Sequence, residues 1–447
     1  MSSIDAAPVP LLKPLSSQRF LHSFPSLSNR NFRLLLTGLL VSGTGGWIQR
    51  IAQDWLVLTL TDSPTAVGIT TACQFAPTLL LGLHGGLLAD RFPKRSLLLI
   101  TQVSMGLTAA ALALLTLAGQ IQVWHVFALA GVLGVVTAVD NPVRQSFVSE
   151  VASGPQLPNA ISLVSCTFQI GAMAGPVIGG VLMSTVGAGY AFAVNAASFV
   201  APVVALALMR GTSPRRTVPA SGPAAAVTAP GAPGIREGLA YALRTPTVLW
   251  PVVMVGAFGF FTISLPVTLA AFAKDEFHSG ASGLGLLNGV VAVGALVGAL
   301  TTARRTKPLR LRTVASAAWA LASALVVAAA APNQLVFTVL LTLVGAANLG
   351  FLTSAQSLVQ LAVVDHLRGR VVGLYMLVFI GSGALGGPVV GLLAEHVGAR
   401  SALLVSGMAP ALVTILVCRH LARVASLRVG LTAFSVRVVR PSLLPRG

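Results

Sequence analysis

Twelve apolar runs of about twenty residues, each bounded by short polar segments, limit what this chain can fold into more than any other feature. They fall near 34–60, 65–88, 96–118, 123–141, 160–185, 189–209, 248–272, 282–303, 312–331, 334–361, 371–393 and 401–419. A helix needs about 20 such residues to cross a hydrocarbon core of ~30 Å. Composition closes off the soluble alternative: 9% of the 447 residues are charged and 55% are hydrophobic. Soluble domains carry roughly 25% charged residues, which this chain could not supply to a water-facing surface. The expected fold is an all-α integral membrane protein of twelve transmembrane helices.

The basic residues orient those helices. Of 29 lysines and arginines, 26 fall in segments on one side of the twelve runs; Lys274 and Arg400 are the two on the other side. The remaining one is Arg50, inside the first run. Such a bias places the basic side, with both termini, in the cytoplasm. The net charge of +18 then faces anionic lipid, so nucleic acid is not needed as a partner. Three cysteines, Cys73, Cys166 and Cys418, stand singly in apolar runs and form neither a disulfide framework nor a metal spacing. Residues 1–33 read as a cytoplasmic tail without the apolar core of a signal peptide, and 422–447 as a second, basic tail.

Between the sixth and seventh runs, 210–247 reads as a cytoplasmic loop. Residues 211–234 hold five prolines and four glycines with no hydrophobic period, and "IREGLAYALR" (235–244) could form a short interfacial helix. On either side the chain repeats. Gly175-Pro176-Val177-Ile178-Gly179 recurs 212 positions later as Gly387-Pro388-Val389-Val390-Gly391. The same offset carries Gly82 to Gly294, Gly86 to Gly298 and Arg95 to Lys307, while "VGA" at 186–188 returns at 397–399. The expected organisation is two six-helix pseudo-repeats, 34–209 and 248–421, an architecture of secondary transporters with the substrate site between the halves.

Charge at membrane depth is costly and marks function by default. The first run supplies it in "WIQRIAQDW", with Arg50 and Asp54 one turn apart on one helix face. Counted back from Asp62 at ~1.5 Å per residue, Arg50 lies ~18 Å deep and Asp54 ~12 Å deep. Asp54 is the candidate proton carrier, poised between burial, which disfavours its charge, and Arg50, which favours it. A permanent ion pair that only holds the helix in place is the bland alternative, and direct binding of an anionic substrate by Arg50 is a variant of the functional one. Gln74 and Gln169 are further cavity candidates among the amides at spanning depth, most of which interhelical hydrogen bonds would explain. Gly381, Gly383 and Gly386 have a dinucleotide-loop spacing, but they sit inside an apolar run with no strand before them, so helix packing accounts for them. No P-loop, metal cluster or nucleophile–base pair is visible. That argues against a pump driven by ATP, against an enzyme and against a bound cofactor.

Residues 29–421 resemble the major facilitator superfamily. "GGLLADRFPKRSLLL" (85–99) is similar to that superfamily's signature between helices 2 and 3, matched by Gly86, Asp90, Arg91 and Arg95, with Lys94 between them. Gly171, Gly175, Pro176, Gly179 and Gly180 resemble the antiporter signature of helix 5 in exporters. "DWLVLTLTDSPTAVG" and "DNPVRQSFVSE" look most like the enterobactin-exporter-like branch of bacterial efflux proteins. The resemblance implies a cytoplasmic latch in which Asp90 faces the start of helix 11 near Arg370, Lys94 bridges Asp90 to Asp140, and Gly86 lets helices 2 and 11 approach, contacts that hold the cytoplasmic side closed in the outward-facing state and break when it opens. It implies that the helix-5 glycines pack against a helix of the other half. The implied function is secondary transport in the cell membrane: proton-coupled efflux of small lipophilic compounds, drugs, secondary metabolites or siderophores, by a protein expected to be monomeric. A nutrient importer or facilitator of the same fold, or a non-transporting membrane sensor, is the alternative.

Overall fold

A computed structural model of the protein describes residues 24–209, 233–304, 309–364, 367–424, 428–432 and 435–439, without the side chains of Leu83, Asp90, 233–236 or anything from 422 onward. The tail 1–23 and loop residues 210–232 lie outside the described residues. The first half contains α1 (Arg30–Thr61), α2 (Pro64–Arg91), α3 (Lys94–Leu117), α4 (Val123–Val151), α5 (Leu157–Thr185) and α6 (Ala188–Leu208). The second contains α7 (Pro246–Glu276), α8 (Gly280–Ala303), α9 (Leu311–Ala329), α10 (Gln334–Ala362), α11 (Arg368–Val397) and α12 (Ala399–Val424). A kink at Phe199 interrupts α6, and α7 breaks at Ile263–Ser264 and ends in a π turn, Phe272–Glu276. Starts are written in the sequence: the Asn29 side chain accepts from the Asn31 and Phe32 amides, and Ser63 followed by Pro64 opens α2.

Among the described residues eleven helices, α2 to α12, are long and apolar enough to cross a membrane. The twelfth expected crossing, α1, has the length, at 32 residues, but is more polar, because it carries Gln49, Arg50, Gln53 and Asp54. The membrane domain is all-helical, as expected; beyond it, β1 (Arg428–Thr432) and β2 (Ser435–Val439) pair antiparallel in the basic tail. The linker does contain the anticipated short helix, Pro233–Arg244. It is tied to the second half by Glu237, which accepts from Arg370 at 2.6 Å, and by the Tyr241 hydroxyl, which donates to Ala362 O at 3.1 Å.

The packing repeats with a shift of six helices. Helices α2 and α4 pack as α8 and α10 do, α3 and α6 as α9 and α12, and α1 and α5 as α7 and α11. Two pairs carry most of the contact between the halves, α2 with α11 and α5 with α8, and each is the other's image under the same shift; α7 and α8 also touch α1. Glycines reach an unusual backbone at matching corners, Gly187 (φ 92, ψ 167) before α6 and Gly398 (φ 91, ψ 156) before α12. A Cβ resists that region, so the repeated "VGA" is a geometric requirement of both turns.

Lipid offers no hydrophobic gain for helix association, so close packing and polar contacts must join the halves. Both are concentrated at the far end of the bundle, opposite the end at which α1 begins. There a Cβ on Gly387 would stand 2.6 Å from Gly68 O, and one on Gly391 would stand 2.6 Å from Pro64 O. Lys274 pairs with Asp62 and also donates to Leu58 O at 3.3 Å; Glu395 accepts from the Ser63 hydroxyl and, at 3.2 Å, from the Thr65 amide. Toward the basic end, a Cβ on Gly82 or Gly86 of α2 would meet nothing within 4 Å.

The Asp62 side chain is 84% exposed, so its pair is worth about 0.2–1 kcal/mol and no single bond holds the far end shut. Removing both cross-half acids, Asp62→Asn with Glu395→Gln, is expected to add a longer-distance population between spin labels placed at Gln120 and Pro332. An unchanged distance distribution would show that helix packing alone closes this end.

Candidate functional site

Helix α1 lies mainly against α5 and α6, with lighter contact to α2 and α4, and itself reaches α7 and α8 of the second half. The α1 face that carries Arg50 is turned toward Phe75 of α2, a helix that packs on α11 of the second half. Small residues leave it open: a Cβ on Gly43 or Gly46 would touch nothing within 4 Å. Arg50 follows one turn after Gly46 on this face. Its guanidinium carbon stands 5.0 Å from the Phe75 ring centre and 5.7 Å from that of Trp47, which in turn meets Phe168 edge-on at 5.6 Å. Among the described residues, neither a hydrogen bond nor a carboxylate within 4 Å engages Arg50. The fixed Arg50–Asp54 ion pair is thus not formed. Asp54 is 5% exposed and likewise has no hydrogen-bond partner among the described residues.

Neighbouring amides divide by role. Gln49 accepts from Asn195 of α6 at 2.6 Å, a structural bond. Gln53 is 1% exposed and neither end of its amide is partnered. Gln74 and Gln169 are half-buried. Gln74 is on α2 where that helix passes close to α4, its carbonyl 2.5 Å from where a Gly134 Cβ would stand.

The helix-5 glycines divide between two partners. Gly171, Gly175 and Gly179 form a stripe at spacing four that receives α1 of the same half, not a helix of the other half. A Cβ would stand 3.2 Å from Thr44 N at Gly171, 3.0 Å from Thr44 O at Gly175 and 3.2 Å from Ile48 O at Gly179. The cross-half contact falls to the next face: a Cβ on Gly180 would meet Gly285 Cα of α8 at 3.0 Å, and one on Gly285 would meet Pro176 O at 2.5 Å. In the second half Gly387 and Gly391, the repeats of Gly175 and Gly179, face α2 across the interface. Gly381, Gly383 and Gly386 pack α11 against Leu79, Ile263 and Phe260, as helix-packing glycines should.

In this conformation the described latch residues have other partners. Lys94, in the first turn of α3, pairs with Glu150 near the end of α4. Asp140 lies ten residues back along α4, about 15 Å, out of its reach. Asp140 is 1% exposed and accepts from Thr101 at 2.7 Å and Gln102 at 2.9 Å, with Arg144 at 3.4 Å. Arg95 donates to Ala207 O at 3.1 Å, at the end of α6, where a cation suits the helix dipole. Arg91 is exposed, and Arg370 is held by Glu237. Asp90 occupies the last turn of α2, and its side chain lies outside the described residues. Gly86 makes no close approach in this conformation.

Sequence reasoning gave no role to Arg144, Glu150, Lys274 or Glu395. The i, i+4 spacing of Asp140 and Arg144 was a signal that could have found the first. Cross-half pairs such as Asp62 with Lys274 leave none, because they join residues far apart in the chain.

Known proteins to which this chain is similar are transporters. The family described as Transmembrane secretion effector matches residues 21–431. The chain is similar to the Multidrug efflux pump Tap of Mycolicibacterium fortuitum, 27% identical over 381 residues, 83% of this chain and 91% of that one. It is similar to the Enterobactin exporter EntS of Citrobacter koseri, 22% identical over 394 residues, 86% and 90% of the two chains. Its fold matches the inward-facing, unoccupied structure of a bacterial homologue of the lysosomal transporter Spinster, with TM-score 0.70, 15% identity and coverage of 88% and 98%.

Two substitutions separate packing from conformational roles. Gly175→Leu should drive α1 from α5 and lower both the yield of folded protein and its thermal stability in detergent, whereas Gly86→Ala should leave that stability unchanged; equal losses would refute the difference in packing. Arg144→Met leaves the Asp140 carboxylate buried without its cation and is expected to cost about 1–3 kcal/mol of stability, largely recovered in Arg144→Met with Asp140→Asn. Thermal unfolding in detergent measures both; failure of the second change to rescue would show that Arg144 acts elsewhere.

Proposed function

Because the chain belongs to the transmembrane secretion effector family of the major facilitator superfamily, and is a multi-pass membrane transporter, we propose that it expels small lipophilic compounds from the cell in exchange for protons. In this reading α1 is the twelfth crossing, its polar residues shielded from lipid by α2, α5 and α6, and the basic end is cytoplasmic. The conformation described is then the one that loads substrate: closed outside by the Asp62–Lys274 and Glu395 contacts, with space along α1 toward the inside. Transport rocks the halves about the glycine-lined α2–α11 and α5–α8 seams, so that the far end parts while the basic end closes. The names of the relatives, a multidrug efflux pump and a siderophore exporter, support the outward direction.

Asp54 is the proton carrier, and its placement is the observation on which the reading rests. A carboxylate at membrane depth, enclosed and held by neither a fixed hydrogen bond nor an ion pair, can take up and release a proton as the halves rock. A carboxylate bound permanently to a cation could not serve in this way.

Inverted vesicles carrying an imposed proton gradient test the coupling. A transported compound is expected to release protons, seen with a pH-sensitive dye, in wild type and not in Asp54→Asn. Release by both proteins would keep efflux and remove Asp54 from the coupling step.

A further inference from the structure

From the surroundings of Arg50 we infer that the central site recognises the anionic group of an amphipathic organic anion with a planar or aromatic body. The inference rests on the efflux reading of the same cavity and names the substrate class within it. A guanidinium has five N–H donors in a planar fork, and at membrane depth each needs a partner or water. Here two aromatic rings lie 5.0 and 5.7 Å from its centre, close enough to stabilise the charge through their π faces without using any donor. The donors are engaged by none of the described residues, and none of them is sealed in the protein interior.

Asp54, the nearest acid on α1, is one turn further along and not within 4 Å of the guanidinium. The remaining described acids near the halves' interface, Asp62, Asp275 and Glu395, lie at the far end, where Asp62 and Asp275 stand beside Lys274 and Glu395 accepts from Ser63 and Thr65. Unpartnered among the described residues and not sealed in, the donors are open to a ligand that enters beside α2. A carboxylate, sulfonate or phenolate entering there can accept two of them side by side, the geometry in which arginine binds anions best.

The walls fit the rest of such a molecule. Trp47 and Phe168 continue the aromatic surface from Arg50 along α1 and α5, and the missing side chains of Gly43 and Gly46 leave room on the α1 face. A planar body lying there would stack on rings while its charged end met the guanidinium. A lipophilic cation would instead meet a fixed positive charge that no neighbouring carboxylate within ion-pair distance offsets. Anion specificity also suits the direction of transport: an inside-negative potential favours both an anion leaving and a proton returning.

Three probes with one ring system and different charge test the inference on the full-length protein in nanodiscs: naphthylacetate, naphthylacetamide and naphthylethylammonium. In wild type naphthylacetate should bind about tenfold or more tightly than the amide, with the ammonium weakest, as expected for a charge-assisted pair of hydrogen bonds. Arg50→Gln should erase that order, while Arg50→Lys should keep a reduced preference for the anion, since lysine retains the charge and loses the fork. Phe75→Leu should weaken all three probes alike, and it gives a second readout if Arg50→Gln does not fold. Equal or tighter binding of the ammonium in wild type, an anion preference that survives Arg50→Gln, or no binding of naphthylacetate at millimolar concentration would each overturn the inference. Export of naphthylacetate from inverted vesicles is followed separately. Loss of export or of proton coupling with the binding order intact would count against the efflux reading and leave the anion site standing.

Discussion

Everything in this bundle depends on how closely helix backbones can approach in lipid. Apolar side chains gain nothing from leaving acyl chains for one another, so association rests on dispersion contact and on a few polar bonds. Glycine makes that contact possible, because its absent Cβ lets one backbone lie directly on another. At Gly294 and Gly298 α8 sits on α10, at Gly175 and Gly179 α5 sits on α1, and at Gly387 and Gly391 α11 sits on α2. The first two contacts build each half as a rigid unit; the third joins the halves. Since the joining glycines lie toward the far end, closure is concentrated there.

The two halves share a packing plan but not the use of its central motif. Gly175 and Gly179 seat α1 within the first half, whereas their repeats seat α2 across the interface. The first half answers with Gly180 and Pro176 O, one helix face further round, against Gly285. One consequence is that α1, with Arg50 and Asp54, is held more closely by its own half. A substrate group held by Arg50 would then be carried with that half, while the wall supplied by the second half changes around it.

Acidic residues are scarce, eleven in 447, and the structure shows most of those it describes in specific pairs. Asp140 is buried under Thr101, Gln102 and Arg144; Glu150 holds Lys94; Glu237 holds Arg370; Glu276 holds Arg400 at 2.8 Å. These pairs brace loops and helix ends. Asp54 and Arg50 stand apart as charges at depth without a fixed counterpart, and that difference separates the proposed transport residues from the bracing ones.

Hydropathy, charge bias and repeated spacing are properties of a one-dimensional string, and they determined what depends on length and periodicity alone. From them came the membrane class, the succession of apolar helices, the basic side, the two related halves, and Arg50 and Asp54 as the charges that require explanation. The glycines of α5 were legible as packing residues for the same reason, because their spacing of four marks one helix face. Which helix that face receives was not, since rotation about a helix axis leaves no trace in spacing. Lys94 was matched to Asp140 by resemblance, and only the tertiary structure showed that Glu150 lies nearer, at the right height along α4. The far-end contacts and the aromatic surroundings of Arg50 join residues from different helices, in the case of Asp62 and Lys274 from different halves. Only the packed bundle could decide them, because they follow from backbone approach in three dimensions and not from the order of residues along the chain.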